Sequence, residues 1–142
     1  ISPEHRKVGI RLNDSLVLGE MLVEAGVDFI HISCWDCSWG SSEFKDDDRT
    51  LTQWFSERLD NAVPIISAGG IWSTAQAKSV MGHGADMVAV ARAAIGHADW
   101  ASHISDEMYD PSKPPFSSEH LEKQGLSQTF IEYMRAWDGF VS

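Results

Sequence analysis

The chain has 142 residues, of which 43% are hydrophobic, a composition typical of one folded domain or a piece of a larger one rather than a disordered segment. Eleven Lys and Arg residues against 21 Asp and Glu residues give a formal charge of -10. Because phosphate-backbone binding needs a basic face, this charge argues against nucleic acid and anionic lipid as partners. No apolar run reaches the ~18 residues of a membrane span, and residues 1–10 have no hydrophobic targeting core. We therefore expect a cytoplasmic protein, and we interpret the start at Ile1, without a methionine, as a truncation.

Four segments have the form of a strand that leads into a helix. Each begins with a short apolar run that ends in a small or polar residue, a pattern typical of βα units. The predicted strands are Lys7–Leu12, Val27–Ser33, Val63–Ser67 and Asp86–Val90.

Amphipathic stretches after the first three runs predict helices. The first helix has three candidate N-caps and a glycine that ends it, namely Asn13, Asp14, Ser15 and Gly26. The second helix is predicted over residues 50–60, and Ser73 or Thr74 is expected to cap the third.

The remaining sequence predicts a helical tail. Asp99 and Trp100 indicate a helix start and its packing residue, and a proline-rich connector follows over residues 110–115. A last helix is predicted over residues 127–137, with Phe130, Ile131, Met134 and Trp137 at the spacing of a packed helix face. We divide the chain into residues 1–108, with the βα units, and residues 109–142, with the connector and tail.

The spacing of the strands defines the expected fold. Strand starts near residues 8, 29, 64 and 87 leave room for a helix between them, so the strands should be parallel with right-handed crossovers. Their nearly continuous apolar character predicts an α/β sheet buried on both faces. Four βα units are half of a (β/α)8 TIM barrel, which takes ~250 residues when complete. A half-barrel exposes its inner face and its edge strands, so a missing N-terminal half, a second chain or another copy in a homo-oligomer must cover it.

Two short segments predict a phosphate site. Gly69 and Gly70 follow the third predicted strand, and Ala91 and Arg92 follow the fourth. Glycines just past a strand end let backbone N–H groups approach a phosphate, and the loops after the last two strands of a barrel commonly bind one. Arg92 adds a charged, forked donor. The alternative is that the glycines only form a turn and that Arg92 pairs with a surface carboxylate.

Several residues near the second predicted strand have two interpretations each. The C-x-x-C spacing of Cys34 and Cys37 suits half a zinc site or a redox pair, and the alternative is a reduced thiol pair in a loop. Trp35 and Trp39 follow the strand and either line a substrate mouth or pack within the loop. His31 is expected to face the barrel interior or a helix.

Four motifs together resemble a known family. They are KVGIRLND at residues 7–14, AGVDFIHIS at 25–33, VPIISAGGI at 63–71 and GADMVAVARAAIGHADW at 84–100. Their order and spacing are similar to those of the Old Yellow Enzyme-like, FMN-dependent NADH:flavin oxidoreductases and ene-reductases. The resemblance implies the fifth to eighth strands of an FMN-binding barrel, with NAD(P)H as reductant and electron-poor alkenes such as enones as small-molecule substrates.

The resemblance also implies roles for individual residues. Arg11 would lie against the pyrimidine edge of the flavin, where a cation stabilises the anionic reduced ring. Gly69 and Gly70 would form the phosphate loop, and Ala91 and Arg92 match a Gly-Arg pair that binds the same phosphate. Ala91 departs from that glycine, and a backbone φ near +60° would not suit it. The family's substrate-anchoring pair and tyrosine proton donor belong to the first half of the barrel, so we expect no catalytic residue in this chain and no activity from it alone.

Two rival functions remain open at this point. One keeps the barrel but makes it a phosphate-binding lyase or isomerase that uses no flavin, since a glycine loop alone does not distinguish the two. The other is a half-barrel that acts only as an assembly module, or an inactive half-barrel fragment left by truncation. We expect no metal site in this chain.

Overall fold

The computed structural model describes residues 9–142, which form an α/β structure with one three-stranded sheet. The helices are α1 (Leu12–Glu24), α2 (Leu51–Leu59), α3 (Thr74–Gly82), α4 (Arg92–Gly96), a 3-10 helix (Trp100–His103), α5 (Ser118–Lys123) and α6 (Gln128–Met134), and the strands are β1 (Ile30–Ser33), β2 (Ile65–Ala68) and β3 (Met87–Ala89). The strand order is β1-β2-β3, and β1 runs parallel to β2 with Ile30 opposite Ile65. The order of elements is thus the predicted alternation of strands and helices, and the described strands are three of the four expected.

Residues 7 and 8 of the first predicted strand lie outside the described residues. The prediction is wrong for the rest of it, because residues 9–11 form no strand and Leu12 already begins α1. Arg11 is the N-cap, with extended backbone, and its N–H donates to the Asp14 carboxylate at 3.1 Å. The predicted caps Asn13, Asp14 and Ser15 therefore lie inside the first helical turn. Asp14 reaches back to the cap from the third helical position, where an acidic side chain can satisfy a free N–H group.

The other helix boundaries agree with the sequence patterns. Gly26 has φ +87° and follows α1 in a Schellman arrangement, in which Val27 N–H donates to Leu22 O at 3.3 Å. Thr50 caps α2 and accepts from Gln53 N–H. Ser73, rather than Thr74, caps α3, because Gln76 N–H donates to its hydroxyl at 3.3 Å.

The described chain divides into two compact units. The sheet unit comprises the described residues up to Gly69 together with Val80–Val88, and the tail unit comprises Gly70–Ser79 and Ala89–Ser142. The division predicted at residue 108 stays a prediction of domain organisation. Within residues 9–142, no helix has both the length and the apolar character needed to cross a membrane.

The core of the sheet unit is aliphatic, and it lies on one face of the sheet. It consists of Leu12, Leu16, Ile30, Ile32, Phe55, Leu59 and Ile65. Along β1 the burial alternates, so that Ile30 and Ile32 are buried while His31 and Ser33 are exposed. Within residues 9–142, α1 and α2 supply the core of one face of β1 only, and burial of its other face stays a prediction. His31 belongs to the exposed face and does not face a helix.

The tail unit contains one helix that the sequence patterns did not indicate, α5. The 3-10 helix begins where Asp99 and Trp100 predicted, and the Trp100 side chain is buried. The last helix, α6, is shorter than predicted, and Ser127 caps it. Ile131 and Met134 are buried as expected, but Phe130 and Trp137 are exposed, so the predicted packed face is wrong for those two residues.

Candidate functional site

The predicted phosphate loop follows β2 directly. Gly69 and Gly70 have φ values of +135° and +67°, which lie in the region that side chains disfavour. A Cβ on Gly69 would lie 2.4 Å from the carbonyl oxygen of Cys34. Two hydrogen bonds hold the same contact, from Cys34 N–H to Ala68 O at 2.8 Å and from Cys37 N–H to Gly69 O at 3.0 Å. Gly69 is therefore required for the loop to pack on the segment after β1.

The second half of this loop presents two backbone donors. Within residues 9–142, the N–H groups of Gly70 and Ile71 donate to no protein acceptor, whereas the next two amides, of Trp72 and Ser73, both donate to the side-chain oxygen of Gln76. Backbone N–H groups need an acceptor from water or a ligand when the protein supplies none. Successive amides beside a left-handed residue suit an anion, so this loop fits a phosphate. Sequence reasoning missed Ile71, because the donor is its backbone and not its side chain.

Ala91 and Arg92 follow β3 and begin α4. Ala91 is the N-cap of α4 with φ -123° and ψ -74°, so the expected conflict with a left-handed backbone is wrong. An alanine fits because this backbone conformation does not need a glycine. Arg92 is the first residue of α4 and is exposed. Gly70, Ile71, Ala91 and Arg92 all belong to the tail unit.

Arg11 belongs to the sheet unit. Its guanidinium lies 3.6 Å from the Glu43 carboxylate, and its side chain is 70% exposed. The same carboxylate accepts the Leu12 N–H at 3.1 Å, so Glu43 ties the acidic loop after β1 to the start of α1. The predicted contact of Arg11 with a flavin ring stays a prediction.

Trp35 and Trp39 lie in the segment that follows β1. Their side chains are 69% and 59% exposed. Within residues 9–142 neither side chain is buried, and Trp35 takes part in a further interaction. Their role at a substrate mouth stays a prediction.

The two cysteines are free thiols, which corresponds to the reduced-pair alternative. Burial raises the pKa of Cys34 to about 11, with smaller contributions from Cys37 and Asp36. Burial also raises the pKa of Cys37, and Asp36 adds to the effect. Because the thiolate is the reactive form, neither side chain is an activated nucleophile at neutral pH.

No protein-family model matches the chain, but curated relatives do. It is 37% identical over 109 residues to the NADH:fumarate oxidoreductase of Klebsiella pneumoniae (strain 342), a match that covers 73% of this chain and 12% of the relative. It is 28% identical over 107 residues to the probable NADH-dependent flavin oxidoreductase YqiG of Bacillus subtilis (strain 168), over 75% of this chain and 29% of the relative. It is 29% identical over 111 residues to the NADH:acrylate oxidoreductase of Vibrio harveyi, over 75% of this chain and 11% of the relative.

The chain is thus an α/β structure in which β1 and β2 are parallel and a glycine loop follows β2. The relatives confirm the resemblance that the four motifs indicated. Over the matched three quarters of its length, the chain is similar to NADH-dependent oxidoreductases, which fits the Old Yellow Enzyme-like family that the motifs resemble. It spans less than a third of the length of each of these relatives.

Proposed function

We propose that this chain supplies the FMN-phosphate part of an NADH-dependent flavin oxidoreductase that reduces electron-poor alkenes. The relatives' names support NADH as the reductant and a flavin as the cofactor. Two relatives are named for fumarate and acrylate, and both compounds are alkenes conjugated to a carboxylate. This chemistry supports an activated alkene as the substrate class and gives no support to a flavin-free lyase or isomerase.

One observation carries the proposal. The amides of Gly70 and Ile71 have no acceptor within the described chain, and they belong to the same compact unit as Arg92. Two backbone donors and a guanidinium are a donor set that a phosphate monoester matches. Ala91 and Gly69 would shape the two segments, and Gly69 does so by packing on Cys34.

The residues of this chain would bind and orient the cofactor. Gly70, Ile71 and Arg92 would hold the FMN phosphate, and Arg11 would place a positive charge beside the ring, where reduction adds negative charge. Bound FMN supplies hydride chemistry between NAD(P)H and the alkene. Trp35 and Trp39 would exclude water from the substrate mouth through their exposed aromatic surface.

The proposal includes a partner that completes the barrel. The exposed face of β1, with His31 and Ser33, is the side of the sheet that α1 and α2 leave open within residues 9–142. We propose that the remaining barrel strands cover it, from further sequence of the same protein, a second chain or another copy. Substrate-anchoring residues and the proton donor would come from those strands.

A flavin titration tests the proposal. Riboflavin has the same ring system as FMN but no phosphate, so the ratio of their dissociation constants isolates the phosphate contacts. We expect the protein to bind FMN more tightly than riboflavin. Arg92→Ala should remove about 1.5–3 kcal/mol of charge-assisted binding, which corresponds to roughly 10- to 150-fold weaker FMN binding. Riboflavin affinity should stay unchanged.

The matched control is Arg58→Ala. Arg58 is an exposed arginine of α2 that pairs with Glu20, and its loss should leave both affinities unchanged. Equal affinities of the unsubstituted protein for FMN and riboflavin, or an Arg92→Ala variant with full FMN affinity, would contradict the phosphate assignment. Sedimentation of the same samples would also show whether the flavin is bound by a monomer or by a larger assembly.

A further inference from the structure

The C-terminal end of α4 is fastened to α5 by a compact set of contacts. The imidazole Nε2 of His120 lies 2.7 Å from the carbonyl oxygen of Gly96. A carbonyl only accepts, so His120 carries its proton on Nε2 and donates it. The side-chain oxygen of Gln124 accepts Ala98 N–H at 2.8 Å. The first bond satisfies a carbonyl at the C-terminal end of α4, where the helix itself provides no partner, and the second satisfies an N–H just beyond the helix.

Aromatic packing closes the same contact. A Cβ on Gly96 would lie 2.5 Å from the Phe116 ring, so the ring rests directly on the backbone of α4. Phe116 in turn stacks on His120, with 5.0 Å between the ring centroids and 13° between the planes. His97 meets Phe116 edge-on at 5.5 Å, and its Nε2 bonds to Ser112 O at 2.9 Å.

The length of α4 makes these contacts decisive for its position. It has five residues, about 7.5 Å at the normal rise, and isolated helices much longer than this are marginal in water. Its place therefore depends on what it packs against. Arg92 begins α4 and Gly96 ends it, so the two residues are little more than one helical turn apart. A tilt or fraying of the helix at Gly96 therefore displaces Arg92.

We infer that His120 is a positioning residue for Arg92, because its hydrogen bond to Gly96 and its stack on Phe116 fix the short helix on which Arg92 lies. This inference rests on the proposed phosphate role of Arg92. It assigns to the C-terminal tail a function in cofactor selectivity, namely the preference for a phosphorylated flavin over an unphosphorylated one.

Three variants separate this role from simple packing. His120→Ala removes both the donor and the stacked ring, whereas His120→Gln keeps an N–H donor at a similar reach. Lys123→Ala is the matched control on the same helix, since Lys123 is exposed and pairs only with Glu119 among the ion pairs of the described chain. In each variant we would measure amide hydrogen exchange over residues 92–98 and the dissociation constants of FMN and riboflavin.

The expected results are specific. His120→Ala should speed exchange at the amides of α4 and reduce the preference for FMN over riboflavin by about 3- to 10-fold, the range for loss of one intramolecular hydrogen bond. Riboflavin affinity should change little. His120→Gln should restore most of the preference, and Lys123→Ala should match the unsubstituted protein.

Failure of the proposed phosphate role and failure of the positioning role of His120 give different results. An unsubstituted protein with no FMN preference would reject the phosphate role of Arg92 and the link built on it. Unchanged exchange in α4 of His120→Ala would reject the positioning role, whatever the flavin results. Faster exchange with an undiminished FMN preference, or equal losses for FMN and riboflavin, would show that the contact is structural only and would overturn the inference.

Discussion

The sheet unit and the tail unit are stabilised in different ways. The sheet unit has a core of aliphatic side chains and one phenylalanine, contributed by a strand or helix face in each case. The tail unit buries aromatic rings as well as aliphatic side chains. It also uses side chains that donate to distant carbonyls, such as Trp100 to Trp72 O at 2.6 Å and His120 to Gly96 O. Burial of aliphatic surface is roughly proportional to area and does not depend on direction. Hydrogen bonds to single carbonyls do, so the tail unit should be less tolerant of small shifts.

The largest effect on stability is expected at a residue of the tail unit that is aliphatic and fully buried, like the core residues of the sheet unit. Leu121 has no exposed surface, and Leu121→Ala should lower the free energy of unfolding by about 2–5 kcal/mol, through lost burial and the cavity that remains. Urea unfolding followed by tryptophan fluorescence measures this change. The control is Leu18→Ala, because Leu18 is 47% exposed and its loss should cost well under 1 kcal/mol. Similar costs for both variants would show that α5 is not packed as described.

Two glycines in the sheet unit test how much its loops depend on close backbone packing. Gly69 and Gly26 both have positive φ, but a Cβ on Gly69 would meet the Cys34 carbonyl at 2.4 Å, whereas nothing lies within 4 Å of a Cβ on Gly26. Gly26→Ala should therefore cost only the backbone strain, about 1–2 kcal/mol. Gly69→Ala adds a steric clash with backbone and should cost roughly 2–4 kcal/mol. Thermal unfolding of the two variants measures the difference, and equal losses would contradict the close approach of the loop to Cys34.

The directional bonds of the tail unit predict a smaller but specific loss. Trp100→Phe keeps most of the buried ring surface but removes the indole N–H that donates to Trp72 O. The carbonyl oxygen of Trp72 is then left without this partner, which should cost about 1–3 kcal/mol. Chemical denaturation measures it, and Trp137→Phe is the control because Trp137 is 51% exposed. No loss in Trp100→Phe would show that packing, and not the hydrogen bond, stabilises this unit.

The same difference explains how much of the fold could be predicted from the sequence. In the sheet unit, the second helix was predicted over residues 50–60 and lies at Leu51–Leu59, because apolar side chains recur along one face of it. The Schellman end of α1 was equally readable from Gly26. In the tail unit, α5 was not predicted. Its contacts join Phe116 and His120 to Gly96, a residue of another helix that is distant in the sequence, so no local period indicates them.

The candidate site likewise contains residues that the sequence indicated and one that it did not. The motifs indicated Gly69, Gly70 and Arg92 because glycines and an arginine after strands are visible in a sequence. Ile71 was missed because only its backbone N–H is involved. The doubt about Ala91 was wrong because the backbone angle of one residue depends on how the chain enters α4, with φ -123°. Backbone direction at a strand end is a property of the packed fold, and residue types report it only when a glycine is required.

The smallest expected effect concerns the thiols beside the Gly69 loop. Because burial raises the pKa of Cys34 from its ordinary value of 9.0 to about 11, the native protein keeps this thiol protonated in a pH range where the unfolded chain loses the proton. The stability that this provides is fully present below about pH 9 and is lost as the pH rises towards 11. Alkylation of Cys37→Ser, which retains Cys34 as its single thiol, should therefore be slow at neutral pH and rise until about pH 11, since burial and not Cys37 is the main cause of the shift. The urea-unfolded variant is the reference, with half-maximal reaction near the ordinary value. A native profile that coincides with the unfolded one would show that Cys34 is open to solvent, and the loop after β1 would then not pack on Gly69 in the manner that makes a glycine necessary there.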